Sequence, residues 1–93
     1  MKTIYKYSIS TDQREIKIWV PVGSTPIFTG LDPHKVPSIW VEVNLDQDDE
    51  VEMCCVVVGT GHELPSSEYK YIGSFIENNT FVWHIYTNIY KIP

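Results

Sequence analysis

The sequence predicts an all-β protein, a single small antiparallel β-sandwich or barrel of about seven strands occupying residues 1–93. Three observations predict it. Apolar and polar residues alternate with a period of two through most of the chain, which places successive side chains on opposite faces of a sheet. The i, i+3, i+4 spacing of an amphipathic helix is nearly absent. Short clusters of Gly, Pro, Asn, Asp and Ser interrupt the alternating runs at the intervals expected of a sheet protein.

From the N-terminus, residues 4–9 and 15–20 flank the turn-rich segment Ser8, Ser10, Thr11 and Asp12, and the pair reads as an N-terminal hairpin. In the second run Ile16, Ile18 and Val20 share one face while Glu15, Lys17 and Trp19 share the other. Pro21 to Ser24 reads as a turn and Thr25 to Thr29 as a short strand. Gly30 to Pro37 reads as a loop, because prolines at 33 and 37 each push the preceding residue out of the helical region. Ile39, Val41, Val43 and Leu45 then alternate with Trp40, Glu42 and Asn44, giving a half-buried strand with an unambiguous inner face. An acidic turn at 46–50 leads to Val51 to Gly59, which ends as a continuous Cys-Cys-Val-Val-Val run and is therefore expected to be buried on both faces. Residues 69–77 and 80–90 form a last hairpin around Glu77-Asn78-Asn79-Thr80, since Asn tolerates the positive φ of tight hairpin turns. Ser66 to Tyr69 adds at most one helical turn.

Composition narrows the function classes. Three Trp and six Tyr in 93 residues supply enough apolar surface for one core without disulfides or a structural metal. Seven basic against twelve acidic residues give a net charge of -5, which opposes the phosphate attraction on which duplex nucleic-acid binders depend. A compact anionic ligand stays open, since local N–H groups or a few Lys can outweigh the global field. Cys54 and Cys55, adjacent in a strand, point to opposite faces and are expected to remain thiols in a reducing compartment. No apolar run approaches the ~20 residues of a bilayer span. The expectation is a cytoplasmic protein with no membrane contact and no cofactor. Asn78-Asn79-Thr80 matches a glycosylation sequon and reads as a chance match in a turn.

The candidate site is the exit of the β-branched run, where Gly59, Thr60, Gly61 and His62 deliver two permissive glycines, a hydroxyl and an imidazole to one sheet edge. Two readings stand. In one, the segment is a turn or bulge with Gly at positive φ. In the other, it is an N–H-lined nest for a phosphate or carboxylate, with Thr60 and His62 as donors. It lacks the spacing and following helix of a P-loop, which argues against nucleotide hydrolysis. His84, opposite Trp83 in alternation, is either a satisfied sheet histidine or, if it meets His62, half of an acid/base or metal pair. With His34 in a remote loop and the two cysteines inside a strand, no metal-binding spacing emerges. The acidic turn likewise lacks the ligand spacing of a calcium loop. Trp40 and Trp19 fall on the more polar faces of their strands and offer stacking or protein-contact surfaces.

The opening MKTIYKY, the EIKIWVPVGS stretch, the IWVEV strand, then VVVGTGHELP, YIGS and FVWHIY occur in an order that resembles a family of small bacteriophage proteins. Members of that family typically show I-Y-K-Y, P-x-G-A, L-W-A-L-V, V-x-G-T-G-H-x-[IL]-P, Y-[IL]-G-T and V-W-H-V. The resemblance covers nearly the whole chain. This sequence departs from it at Ser24, in a longer 30–38 loop, and in its continuation through Thr87-Asn88-Ile89-Tyr90. The resemblance implies a phage origin and the fold, and it brings no activity to carry over.

Three functions are therefore expected, in this order. The first is a non-catalytic phage binding protein that counters host defence from the host cytoplasm. It would sequester a small anionic ligand of the cyclic-nucleotide class, or cap a host defence protein, through Gly59, Thr60, Gly61, His62, Trp40 and His84, as a monomer or a homo-oligomer. The second is a virion or assembly interaction module. The third is a hydrolase using His62 and His84.

Overall fold

In a computed structural model that describes residues 1–89, the chain forms seven strands. They are β1 (Lys2–Ser8), β2 (Glu15–Pro21), β3 (Thr25–Leu31), β4 (Pro37–Asn44), β5 (Glu50–Gly59), β6 (Lys70–Glu77) and β7 (Phe81–Ile89). A three-stranded sheet in the order β1-β4-β3 faces a four-stranded sheet in the order β2-β5-β7-β6, and every pairing is antiparallel. The result is a β-sandwich, not a closed barrel.

The N-terminal hairpin expected from the turn signals does not form. β1 pairs with β4 and β2 pairs with β5, so the segment between them crosses from one sheet to the other. Ile9, in that crossing, is only 5% exposed and belongs to the core. A turn signal fixes that the chain reverses; it does not fix whether the returning strand pairs beside the first or opposite it. Three other expectations shift at their edges. β3 extends through Leu31, which shortens the loop before β4 to residues 32–36. Leu45 lies beyond β4 and is exposed, its N–H bonded to the Met1 carbonyl. Ser66 to Tyr69 is a β-turn closed by the Tyr69 N–H on the Ser66 carbonyl.

The last hairpin forms where its Asn signal places it, with Thr80 as a third loop residue between the paired Glu77 and Phe81. Asn78 and Asn79 both take φ of 54° in the turn between β6 and β7, which is the type I′ geometry that suits strand twist. In the β3–β4 hairpin, the buried Asp32 carboxylate organises the loop. Its Oδ1 accepts the N–H groups of His34 and Val36 at 2.8 and 2.9 Å, and its Oδ2 accepts Lys6 Nζ at 2.8 Å. The Lys6 hydrogen bond, helped by the Val36 N–H, holds the Asp32 carboxyl down to about 2.

The core lies between the sheets. Ile39, Val41 and Val43 of β4 face Met53, Cys55 and Val57 of β5, with Val20 and Ile85 beside them. The sheets come closest where β3 meets β6: a Cβ on Gly73 would stand 3.1 Å from Thr29 Cγ2, at the irregularity between Tyr71 and Gly73. β5 and β6 run in the same direction on either side of β7. Residues 60–69 must therefore travel the length of the sheet to join them. Cys54, Val56 and Val58, all on the outer face of β5, are buried, which fulfils the expectation of a strand covered on both sides. Cys54 and Cys55 are thiols on opposite faces, and burial, with Cys54 adding, pushes the Cys55 thiol up to about 12.

Candidate functional site

β5 ends in a turn. The His62 N–H bonds the Gly59 carbonyl at 3.0 Å and Gly61 has φ of 92°, so the third turn position requires a residue that tolerates the left-handed region. The His62 imidazole folds back over Gly59, where an added Cβ would meet its Cε1 and Nδ1 at 2.9 Å and Trp83 Cζ3 at 3.3 Å. Gly59 pairs with Trp83 in the ladder, and that pair points inward. His62 thus belongs to the inner rim, its backbone donor spent in the turn.

Thr60 turns the other way. Its hydroxyl is 2.9 Å from His84 Nε2. Register places His84 beside Val58 on β5 and Ser74 on β6, on the outer face. His84 Nδ1 is 2.6 Å from Ser74 Oγ, which is itself 2.6 Å from the Tyr71 hydroxyl. Four side chains from three separate segments form one continuous, exposed hydrogen-bonded chain along the outer face of β7 and β6. A neutral imidazole donates from one nitrogen and accepts at the other, so the polarity of the whole chain is fixed by one tautomer choice. Tyr71 is held edge-on against Tyr86 at 5.5 Å between ring centroids. Around the chain, Tyr71, Ile76 and Val82 are exposed at 56%, 58% and 38%.

Of the six residues expected to share a site, the structure joins only Thr60 and His84. Gly59, Gly61 and His62 shape the turn that presents Thr60. His62 and His84 lie on opposite faces of the β5–β7 ladder, so they form no acid/base pair. Trp40 is a correction of a larger kind. It lies on the outer face of the other sheet, opposite Lys6 and Phe28, with its ring 5.3 Å from that of Phe28. Because β4 belongs to the three-stranded sheet, the whole sandwich separates Trp40 from Thr60. Trp19 shares the outer face with His84 but stands toward its other end, opposite Glu52.

Ser74 and Tyr71 are the residues that sequence reasoning missed. The YIGS run alone did not reveal them: counting back from a two-residue Asn78-Asn79 turn pairs Glu77 with Thr80 and Ser74 with Trp83, whereas Thr80 joins the loop, Glu77 pairs with Phe81 and Ser74 falls opposite His84. Among the described residues, no group of three or more His, Cys, Asp or Glu side chains is placed to hold a metal ion. No helix among them is long and apolar enough to cross a membrane.

Two packed antiparallel sheets, with an exposed hydrogen-bonded chain along the outer face of β6 and β7, define a small β-sandwich. Residues 1–92 match the family described as Domain of unknown function (DUF7352), and the chain belongs to that family. No curated protein and no solved structure matches it.

Proposed function

We propose that this is a non-catalytic binding protein that acts through the outer face of its four-stranded sheet, capping a host protein. The observation that carries this reading is the Thr60–His84–Ser74–Tyr71 chain, bordered by Ile76 and Val82. A flat face with preset hydrogen-bonding groups at its centre and apolar side chains around them has the make-up of a protein-binding hot spot. The chain is already internally connected, so little side-chain freedom remains to be lost on binding. The Ser74–His84 contact has the spacing of a nucleophile and base, but the second imidazole nitrogen faces a hydroxyl where a hydrolase needs a carboxylate. Binding is the simpler use of these groups.

The wider reading is a bacteriophage protein working in the host cytoplasm against a defence protein. It rests on the sequence resemblance and on the acidic charge, which disfavours nucleic-acid targets. Sequestration of a small nucleotide ranks below protein capping, because the His62 N–H of the supposed anion nest is already bonded and Trp40 is elsewhere.

Affinity capture of host polypeptides with the wild-type protein, and with Ile76→Glu, Tyr71→Ala and Trp40→Ala variants, tests the proposal. A partner retained by wild type and Trp40→Ala but lost by the other two is expected, each loss exceeding about tenfold in affinity. Release of a nucleotide from the purified protein, or its recovery in stoichiometric amount from virions, would replace the capping role with sequestration or assembly.

A further inference from the structure

We infer a second binding site, independent of the outer face, in the cavity between the sheets at the end of the sandwich away from Thr60. It has a volume of about 660 Å³, within the roughly 300–1,000 Å³ typical of small-molecule sites. Its floor is the inner face where β5, β6 and β7 begin or end, and its roof is the turn between β2 and β3. Val22, Val51, Ile72 and Ile89 give it an apolar wall.

Two polar groups in that wall lack partners. Thr87 is only 4% exposed as a residue and makes no side-chain hydrogen bond among the described residues; since no buried side-chain oxygen among them lacks a partner, its hydroxyl opens onto the cavity, inward beside Cys55 and Lys70. A buried hydroxyl elsewhere in the protein is used: Thr29 Oγ1 donates to the Ser38 carbonyl at 2.8 Å. A ligand atom in the cavity would replace the water at the Thr87 hydroxyl with a direct hydrogen bond. Lys70, in register with Thr87 on the neighbouring strand, has no ion-pair partner among the described residues. An apolar-walled cavity with one inward hydroxyl open to it and, at its rim, an ammonium with no ion pair among the described residues suits a compact amphipathic anion. Its carboxylate or sulfonate would accept from Lys70 Nζ and Thr87 Oγ1 while its apolar body fills the chamber. Glu68 at the same rim and the net charge of -5 select a monoanion over a nucleotide polyphosphate.

The test uses 8-anilinonaphthalene-1-sulfonate and its uncharged counterpart N-phenyl-1-naphthylamine, followed by fluorescence titration and by backbone amide shifts of the folded protein. One saturable site is expected for the sulfonate, with shifts concentrated at Val51, Ile72 and Thr87. Lys70→Gln should weaken the sulfonate about tenfold or more and the uncharged compound less than about twofold, and the near-isosteric Thr87→Val should weaken the sulfonate by about five- to tenfold. Absence of saturable binding, shifts confined to the outer face around His84, or equal affinities for wild type and both variants would overturn the assignment.

Discussion

Asp32 and His84 each stand at the centre of a hydrogen-bonded group, and the contrast between them separates polar residues that hold a fold from polar residues that are available to a partner. Asp32 is 8% exposed and accepts two loop N–H groups and an ammonium. Remove it, and backbone donors inside a hairpin lose their acceptor. His84 is half-buried on the outer face of β7, and its partners are hydroxyls that solvent can reach. Among the described residues no backbone group bonds its ring. Both groups would look equally well satisfied in a count of hydrogen bonds. Burial and the identity of the partner decide which one is structural.

Mutations can break that comparison or sharpen it. Ile85→Ala, one residue along β7 from His84 but fully buried, sets the scale and should cost about 2–5 kcal/mol in denaturant unfolding, since it leaves a cavity in the core. Asp32→Ala should come next, lowering the melting temperature by several degrees through the unpaired loop donors. Gly61→Ala, forced to hold φ of 92°, should destabilise by about 1 kcal/mol in the same measurement. His84→Ala and Ser74→Ala should each change stability by less than about 1 kcal/mol while weakening partner capture. If the His84 variant proved as destabilising as the Asp32 variant, the two groups would be of one kind.

Acid titration sharpens the same contrast. The Asp32 carboxyl titrates at about 2 in the folded chain, below an unperturbed aspartate. Its contribution to stability is therefore present in full above roughly pH 4 and lost as pH falls toward 2. Thermal melts across this window should show that slope in the wild type, and Asp32→Asn should flatten it.

The sequence made some of this legible and not the rest. The β4 inner face, the β6–β7 hairpin and the doubly buried end of β5 follow from local rules, because alternation and Asn turn chemistry act over neighbouring residues. The pairing of β1 with β4 does not follow, because nothing within residues 8–15 states which sheet the next strand joins. The same gap explains the site. Thr60 and His84 were each visible as polar residues at strand positions, but their meeting depends on β5 lying next to β7, and the exclusion of Trp40 depends on β4 lying in the other layer. Ser74 stayed hidden by one residue of register, because Thr80 joins the loop and leaves Glu77 paired with Phe81. Which strands share a sheet is set by packing between distant segments, and that information is spread over the whole chain.

The most direct test of the outer-face account is quantitative capture of the host partner by wild type, by a Tyr71→Ala/Ile76→Glu variant and by a Phe28→Ala/Trp40→Ala variant on the opposite sheet, each first shown to be folded by amide spectra. Binding lost in the first variant and intact in the second is the predicted result. Binding intact in the first and lost in the second would contradict it and move the recognition surface to the three-stranded sheet.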